Sequence, residues 1–526
     1  MNERDDLPIL IGVGQHTVHW DGANAAQAPD PVGLCVDAAE KAFEDATTSA
    51  ALRALIDAVV VVRTYADSIP GHEPETGRCA NPPGTVAERL GVSPSTAVYS
   101  IAGGDQPQAL VNEFSARLYR GEHQAVLLCG AEATAAAKTA RRAHFLLDWS
   151  QSEAGDFEDR GLGPMLLTDY EIKNGLGWPA QTYPLFEQAY RSRCGSSSQE
   201  HLDNMAEQLS QFSLIAQSNP YAQFPTALAA EFLKTESKEN FPIASPYLKW
   251  HVAQEAVNQG AALILTTVSR ARELGVPETK WIYLHGHSAL KDRPITERPD
   301  LSRSQSLKWS LDQALETSAR TADSVAFFDI YSCFPCVVFL AAESLGLNWR
   351  STPLTVTGGL PFFGGPGNNY SMHAIAAMVE ALRTQPGEFG LVLANGGFLS
   401  KHAVGVYSTQ SPKAWSPVDS SELQVRLDET MGPIGVTVTE ETLAEVESFT
   451  VIHGRNGGER GLLALRSEAG RIFAQTGFQE GATVHDLAKS ARVIGKRARA
   501  QEINGSNFVI CNLPTDDDPL FPKPES

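Results

Sequence analysis

Tyr331 and Cys333 stand two residues apart at the end of a short apolar run, in the sequence DIYSCFP. Side chains two residues apart in a strand point to the same face, so a phenol and a thiol are expected side by side. Tyrosine can act as an acid or base or donate a hydrogen bond, and a thiol can act as a nucleophile. A core aromatic ring and a small buried apolar group are the alternatives, and the local sequence leaves them open.

Glycine-rich loops further along the chain supply other candidate groups. The sequence GGLPFFGGPGNNYSMH spans residues 358–373, and ANGG precedes His402. His373 and His402 could exchange protons, and Asn395 could orient a water molecule or a carbonyl group; structural roles are the alternatives. A phosphate loop is excluded because no Lys-Ser/Thr accompanies the glycines. An acyl group or a neighbouring strand remains to explain why side chains are absent here.

Gly103 and Gly104 precede an amphipathic segment in the sequence AGGDQP. Backbone N–H groups at the start of a helix can hold an oxyanion or an acyl carbonyl, and a tight strand-to-helix turn is the alternative. Asp105 follows directly and is expected to cap the helix with its side chain.

The elements that would position these residues alternate along the chain. Buried strands are predicted at AVVVVRT (58–64), AVLLCGAEAT (125–134) and AALILTTVS (261–269), with helices between them. This alternation predicts an α/β domain with largely parallel, fully covered strands. A similar series follows from TKWIYLHGHSA to AVGVYST, which indicates two copies of one βαβ-type unit.

The pattern predicts four segments. These are an N-terminal half at 1–270 with a helical insertion at about 135–250, a second half at 271–410, a linker at 411–418, and a domain at 419–526. Alternating apolar and polar residues in the last segment predict a small antiparallel β-barrel, followed by a frayed tail from 514.

Composition excludes several classes of protein. The 526 residues include 62 acidic and 42 basic ones, so the formal net charge of -20 argues against nucleic-acid and anionic-membrane partners. No apolar run reaches the roughly 18 residues of a membrane span, and the start of the chain lacks signal-peptide features. Seven scattered cysteines fit free thiols in the cytoplasm, and no metal site is predicted.

Three stretches together resemble the C-terminal catalytic loops of the thiolase superfamily. They are FFDIYSCFP, GGLPFFGGPGNNYSMHAIAAMV and LANGGFLSKHAVGVYST, and YSIAGGDQPQALVNEF is similar to the nucleophile loop and its helix. The chain is most similar to divergent thiolase-like and acetyl-CoA acetyltransferase proteins related to sterol-carrier-protein thiolases. Over residues 8–410, the resemblance implies two βαβαβαββ halves in a five-layered αβαβα fold. The barrel is an addition that resembles OB-folds.

The resemblance also locates the residues that a thiolase would use. Its nucleophilic Cys falls at Gly104, its Gly-His-Pro histidine at Gly365, and its Asn or His at Tyr331. Its second catalytic Cys belongs to a loop that here contains Asn395, Gly396 and Gly397 without a thiol. Both usual thiols and the usual His are therefore absent, while the glycine-rich backbone is kept.

The resemblance implies a protein of lipid metabolism that takes a CoA thioester as substrate or ligand and needs no cofactor. The first hypothesis is an acetyl-CoA acetyltransferase-type enzyme with a non-standard site. The alternatives are retro-aldol cleavage of a 3-hydroxyacyl-CoA by Tyr331, as in related aldolases that pair with an OB-fold partner, and an inactive CoA-binding or scaffolding protein.

Thiolases usually dimerise near the strand that is STAVYS (95–100) here, so a homodimer is allowed. The candidate catalytic residues are Tyr331, Cys333, Asn395, His402 and His373, and the candidate oxyanion residues are Gly103, Gly104, Gly365, Gly396 and Gly397.

Overall fold

The computed structural model describes residues 5–46, 49–152, 155–164, 167–430, 432–454, 459–476 and 493–510. Its strands are β1 Pro8–Thr17, β2 Ile56–Val61, β3 Thr96–Tyr99, β4 Ala125–Glu132, β5 Glu158–Asp159, β6 Pro242–Ala244, β7 Tyr247–Leu248, β8 Gln259–Thr267, β9 Ile282–Lys291, β10 Phe327–Ile330, β11 Phe389–Gly396, β12 Lys401–Ser408, β13 Thr442–His453, β14 Glu459–Ser467, β15 Gly470–Thr476, β16 Arg497–Ile503 and β17 Ser506–Val509. Its α-helices are α1 Pro31–Ala46, α2 Ser49–Leu55, α3 Pro82–Leu90, α4 Gln106–Tyr119, α5 Thr134–Ala143, α6 Asp169–Lys173, α7 Pro179–Arg193, α8 Ser198–Ser218, α9 Ala230–Lys234, α10 Val268–Glu273, α11 Gln305–Thr317, α12 Pro335–Leu345, α13 Tyr370–Thr384 and α14 Ser421–Asp428. The predicted tail from 514 lies outside the described residues.

The two halves repeat one strand order, as the two-copy prediction requires. The main sheet runs β10-β11-β12-β9-β1-β8-β4-β2-β3-β5. In the first half β1 is followed by β8, β4 and β2, and in the second half β9 is followed by β12, β11 and β10. A short pairing of β1 with β9 joins them, through Ile9 with Tyr283 and Leu10 with Ile282.

The expected largely parallel sheet is a mixed one. β2 is parallel to β3 and β4, but β8 runs antiparallel between β1 and β4. β12 likewise runs antiparallel between β11 and β9. β12 follows β11 after four residues, 397–400, which is too short a connection for the crossover that parallel strands need.

Two buried helices separate the halves and begin at the candidate site. α4 contacts β4 and β8 on one side and β11 and β12 on the other, and α13 packs against α4 and both sets of strands. α1 covers the outer face of the first half, and α11 covers that of the second. The result is the αβαβα layering of thiolases, with the loops before α4 and α13 at the carboxyl ends of the strands.

The C-terminal barrel is a closed ring of five strands. β13 pairs with both β14 and β16, and β15 and β17 complete the circuit. β15 and β17 are parallel, unlike the predicted all-antiparallel arrangement. Twenty residues, 477–496, separate β15 from β16, which pairs with β13; β17 then turns back from β16 and lies beside β15 in the parallel direction.

The barrel is anchored to the second half by Arg471. This fully buried guanidinium donates through Nη1 to the carbonyls of Ile295, Thr296 and Arg298 at 2.7–2.9 Å. Its Nε donates to Glu447 Oε2 at 2.7 Å. One side chain of the barrel therefore satisfies three carbonyls of the body.

The predicted insertion and linker also join the barrel to the body. Within the insertion, β6 and β7 form a short antiparallel pair, and Ala244 of β6 pairs with Ile452 of β13. The segment at 411–418 packs against both halves, where the Trp415 ring lies 5.1 Å from that of Tyr119 in α4 and 5.9 Å from that of His287 in β9, centroid to centroid. These contacts bury Trp415 in a segment that is otherwise partly or fully exposed.

Candidate functional site

The structure brings Gly104, Tyr331 and Asn395 into direct proximity. A Cβ atom at Gly104 would overlap the Tyr331 hydroxyl and lie 2.6 Å from the Asn395 carbonyl oxygen. Gly104 follows β3, Tyr331 follows β10, and Asn395 belongs to the end of β11. The Tyr331 hydroxyl thus occupies the space where a nucleophilic side chain at residue 104 would begin.

Tyr331 is held rigidly and remains protonated. Its ring is 6% exposed and lies edge-on to Tyr370, with 5.4 Å between the centroids. Burial raises the pKa of Tyr331 well above its usual value, and the nearby Cys333 and Asp105 raise it further. At neutral pH this phenol is therefore a hydrogen-bond donor, not a base.

Cys333 lies near Tyr331 and contacts Asn395, but β10 ends at Ile330, so neither Tyr331 nor Cys333 belongs to the strand that the spacing argument assumed. The Asn395 Nδ2 donates to the Cys333 Sγ at 3.5 Å and to the Tyr183 hydroxyl at 3.0 Å. Burial raises the pKa of Cys333 to about 12, although hydrogen bonds from Tyr183 and Asn395 oppose this shift. Tyr183 comes from α7, so the insertion helps to build the site.

Iodoacetamide at pH 8 is expected to alkylate the exposed Cys194 at least about tenfold faster than Cys333. With a pKa near 12, only about one Cys333 in ten thousand is a thiolate at this pH, and burial limits access further. Peptide mapping by mass spectrometry after timed quenching gives both rates. Equal rates would show that Cys333 is an activated nucleophile.

Asp105 does not cap α4, contrary to the sequence expectation. Its side chain makes no capping bond, because the second residue of the helix is Pro107, which has no N–H group. The carboxyl group is instead buried, with Oδ2 accepting from Gln106 at 2.9 Å and Oδ1 without a partner among the described residues. Burial raises the pKa of Asp105, and the positive charge of Lys401 opposes this rise.

Lys401 is the main charged residue that the sequence analysis missed. It is buried at the start of β12 and donates through Nζ to the Ala102 carbonyl at 2.8 Å. Burial lowers its pKa, and Asp105 raises it. The available signal was a lysine just before the predicted strand AVGVYST (403–409), because a charge that becomes buried there needs a partner.

The candidate oxyanion donors differ in what they already bind. The Gly103 N–H donates to the Asn368 Oδ1 at 3.1 Å, and the Gly365 N–H donates to the Gln254 carbonyl at 2.8 Å. Gly396 faces Asp105 and the Gly104 nitrogen, whereas Gly397 is exposed and its carbonyl accepts from Tyr183 at 3.3 Å.

The loop GGPGNN is closed against the first half. Asn368 Nδ2 donates to the Arg63 carbonyl at 2.8 Å, and Asn369 Nδ2 donates to the Gly130 carbonyl at 2.6 Å. A Cβ at Gly367 would overlap the carboxyl group of Glu132. The small residues of this loop thus allow the two halves to approach each other closely. A neighbouring strand was one of the two explanations that the sequence left open for the missing side chains.

The structure does not bring the two candidate histidines to Tyr331. His373 is buried with Nδ1 2.9 Å from the Gln15 Oε1, and His402 has Nε2 3.3 Å from the Ser304 Oγ. Burial lowers the pKa of His373 to about 3 and that of His402 to about 4. Both rings are therefore neutral at physiological pH. His402 pairs with Asn395 across β11 and β12, but its ring contacts Ser304, and the ring of His373 contacts Gln15.

A buried carboxylate on α7 positions Tyr183 and was also missed. Glu187 is fully buried and accepts from the Tyr247 hydroxyl at 2.6 Å and from the Cys336 N–H at 2.7 Å. His201 Nε2 lies 2.6 Å from its other oxygen. This cluster fixes α7 to the first turn of α12, so Cys336 belongs to a structural network.

Within the described ranges, no group of three or more His, Cys, Asp and Glu side chains is arranged to hold a metal ion. No helix in the described part of the chain has the length and apolar character needed to cross a bilayer.

Comparisons with known proteins agree with this geometry. No family model and no curated protein matches the chain. Among solved structures, a monomeric SCP2-thiolase-like protein type 1 from Mycobacterium smegmatis superimposes with a TM-score of 0.81 and 33% identity, covering 97% of this chain and 100% of that chain. Because β13 begins at Thr442, coverage of this extent includes the barrel.

Two further structures share the fold at lower identity. The Ltp2-ChsH2(DUF35) aldolase has a TM-score of 0.57 and 16% identity, covering 77% of this chain and 98% of that chain. The acetyl-CoA acetyltransferase from Syntrophomonas wolfei has a TM-score of 0.55 and 13% identity, covering 77% and 99%. On its fold, its site geometry and its likeness to the mycobacterial protein, the chain belongs to the SCP2-thiolase-like proteins of the thiolase superfamily.

Proposed function

We propose that this protein binds a CoA thioester at Gly104, Tyr331 and Asn395 and makes or breaks a carbon–carbon bond next to the thioester. The observation that carries the proposal is the Tyr331 hydroxyl, which occupies the space of a side chain at residue 104. No acyl-cysteine forms at this position, so an acetyltransferase-type reaction here proceeds without a covalent acyl-enzyme. The enolate of one thioester attacks the carbonyl carbon of a second, the C–S bond of the second breaks, and its CoA thiolate leaves with the proton taken from the first. Relatives described as an acetyl-CoA acetyltransferase and an aldolase support this reaction class.

Chemistry next to a thioester passes through an enolate, whose oxygen must be stabilised. The protonated Tyr331 supplies an O–H donor, and the Gly104 N–H lies next to the Tyr331 hydroxyl. The Asp105 Oδ1, which has no partner among the described residues, supplies the base. Its raised pKa brings it closer to that of a working general base.

Retro-aldol cleavage of a 3-hydroxyacyl-CoA is the second candidate, favoured by the donor Tyr331 beside the acceptor Asp105. The Asp105 carboxylate takes the proton of the 3-hydroxyl group, and the C2–C3 bond breaks to release a carbonyl compound. The electron pair passes to the thioester enolate, which Tyr331 stabilises. The proton held by Asp105 then returns to C2, so that no external reactant is consumed.

Mass spectrometry of products distinguishes these reactions. We expect calorimetric binding of a CoA thioester, and turnover of acetyl-CoA, acetoacetyl-CoA or 3-hydroxyacyl-CoAs. Tyr331→Phe is expected to lower turnover about 100-fold, because it removes an oxyanion donor. Tyr190→Phe removes a hydroxyl group on the outer part of α7 and serves as the control. Binding without turnover would indicate an inactive CoA-binding protein, and no binding at several chain lengths would refute the proposal.

The proposed partner is CoA or an acyl-CoA, and the proposed location is the cytoplasm. A homodimer remains a prediction from family resemblance. The mycobacterial relative is described as monomeric, whereas a yeast peroxisomal thiolase with a TM-score of 0.56 and 13% identity, covering 78% of this chain and 99% of that chain, is described as dimeric.

A further inference from the structure

A second cavity lies in the first half, outside the site around Tyr331. It has a volume of about 400 Å³ and opens between the carboxyl ends of β2 and β4, the start of α1, the segment at 64–79 and α5. Voids of this size are absent from ordinary protein cores, which are packed to near-crystalline density, whereas small-molecule pockets commonly measure about 300–1,000 Å³. None of the candidate catalytic residues lines it.

Glu132 is the polar group at the inner end of this mostly apolar cavity. Its side chain is only 3% exposed, and its Oε1 accepts a hydrogen bond from the Tyr65 N–H at 2.6 Å. The Oε2 has no hydrogen-bond donor among the described residues. Burial raises the pKa of Glu132 to about 8, because an ionised carboxylate is poorly solvated there. Because Glu132 lines the cavity, this oxygen can bond a group placed there.

The charges around the cavity favour a neutral ligand. Arg141 is paired with Glu75 at 2.9 Å, and Lys138 is paired with Glu255 at 2.6 Å. The Arg78 Nε lies 3.6 Å from Asp67, whose other oxygen accepts from the Tyr99 hydroxyl. Each cation that lines the cavity is thus engaged by a carboxylate, and an anionic ligand would lie near further acidic groups.

The loop at 366–369 separates this cavity from the Tyr331 site. Gly367 lies over Glu132, while the next residue, Asn368, binds Gly103 and Ser68. A ligand against Glu132 would therefore lie on the opposite side of this loop from Gly104.

We propose that this cavity is a second binding site, which takes a neutral, largely apolar small molecule whose hydroxyl group bonds the free oxygen of Glu132. The apolar lining supplies affinity, and Glu132 selects an alcohol over a carboxylate of the same length. This site goes beyond the proposed CoA-thioester chemistry and does not depend on it.

Titration calorimetry with 1-decanol and with decanoate on the full chain tests the proposal, at pH 9, where a Glu132 with a pKa of about 8 is mostly ionised. We expect one saturable decanol site and at least about tenfold weaker binding of decanoate, because its charge would meet Glu132 and Asp67. Glu132→Gln keeps hydrogen-bonding groups but cannot ionise, so it is expected to narrow the difference between the two ligands. Equal affinities in the unmodified protein would refute the role of Glu132.

A matched pair of variants on α5 locates the binding. Ala137 lines the cavity and Ala135 does not, and both are partly exposed on the same helix. Ala137→Phe fills the cavity and is expected to abolish decanol binding, whereas Ala135→Phe leaves it within about twofold. Unchanged binding in Ala137→Phe would overturn the proposal. Competition between decanol and a CoA thioester would also overturn it, since the two sites would then be one.

Discussion

Gly104→Ala is expected to lower the free energy of unfolding by about 1–3 kcal/mol, as measured by chemical denaturation. The added methyl group would overlap the Tyr331 hydroxyl and approach the Asn395 carbonyl oxygen to 2.6 Å. Tyr331 and Asn395 both belong to the second half. The overlap is therefore relieved only if the loop that contains Gly104 moves away from the second half. The expected loss of stability comes from steric overlap and not from backbone strain, because Gly104 does not have a positive φ.

Two further variants identify the cause of this loss. Tyr331→Phe removes the hydroxyl group, so Gly104→Ala combined with Tyr331→Phe is expected to cost less than the sum of the single changes. Gly177→Ala is the control, because a Cβ there has no neighbour within 4 Å, and it is expected to stay within about 0.5 kcal/mol. A Gly104→Ala protein as stable as the Gly177→Ala protein would contradict the proposed packing.

The same overlap explains why a single change does not create a thiolase nucleophile here. A cysteine at residue 104 would place its Sγ beyond a Cβ that already overlaps the Tyr331 hydroxyl. Residue 331 must therefore become smaller before residue 104 can carry a thiol. Chemistry at this site depends on the groups that line the remaining space, namely Tyr331, Asp105 and Asn395.

The local pattern of apolar and polar residues was enough to predict much of the fold. The buried strands predicted at 58–64, 125–134 and 261–269 correspond to β2, β4 and β8, and the amphipathic segment after Gly104 forms α4. Periodicity of apolar residues encodes such elements directly. It does not encode strand direction, so neither the antiparallel β8 nor the parallel pair of β15 and β17 could be predicted from alternation.

Only part of the candidate site could be predicted from the sequence, for the same reason. Tyr331 and Cys333 stand two residues apart directly after β10, so their proximity follows from the local sequence. Tyr183 meets Asn395 across 212 positions of sequence, and Lys401 reaches Ala102 across 299. His373 was a candidate by residue type, but the orientation of α13 turns it toward Gln15 of β1. Contacts of this range depend on tertiary packing, which no local signal specifies.

Arg471→Met is expected to destabilise the protein by about 3–5 kcal/mol and to release the barrel from the body. Methionine keeps much of the volume but cannot donate to the carbonyls of Ile295, Thr296 and Arg298. The carbonyls of Thr296 and Arg298 then stay buried without a partner among the described residues, while that of Ile295 keeps the Arg298 N–H at 3.3 Å. Two unsatisfied buried acceptors cost more than the loss of an exposed ion pair. Denaturation monitored by fluorescence, together with limited proteolysis of the segment at 411–441, measures both effects.

Arg466→Met provides the matched control, because both arginines bind the same Glu447. The Arg466 side chain is partly exposed, whereas that of Arg471 is fully buried. Arg466→Met leaves Glu447 paired with Arg471 and the three carbonyls satisfied, so a loss of at most about 1 kcal/mol is expected. Similar losses in the two variants would mean that the ion pair with Glu447, and not the carbonyl contacts, holds the barrel. A large loss in Arg471→Met alone would identify the three carbonyls of the second half as the anchor of the barrel.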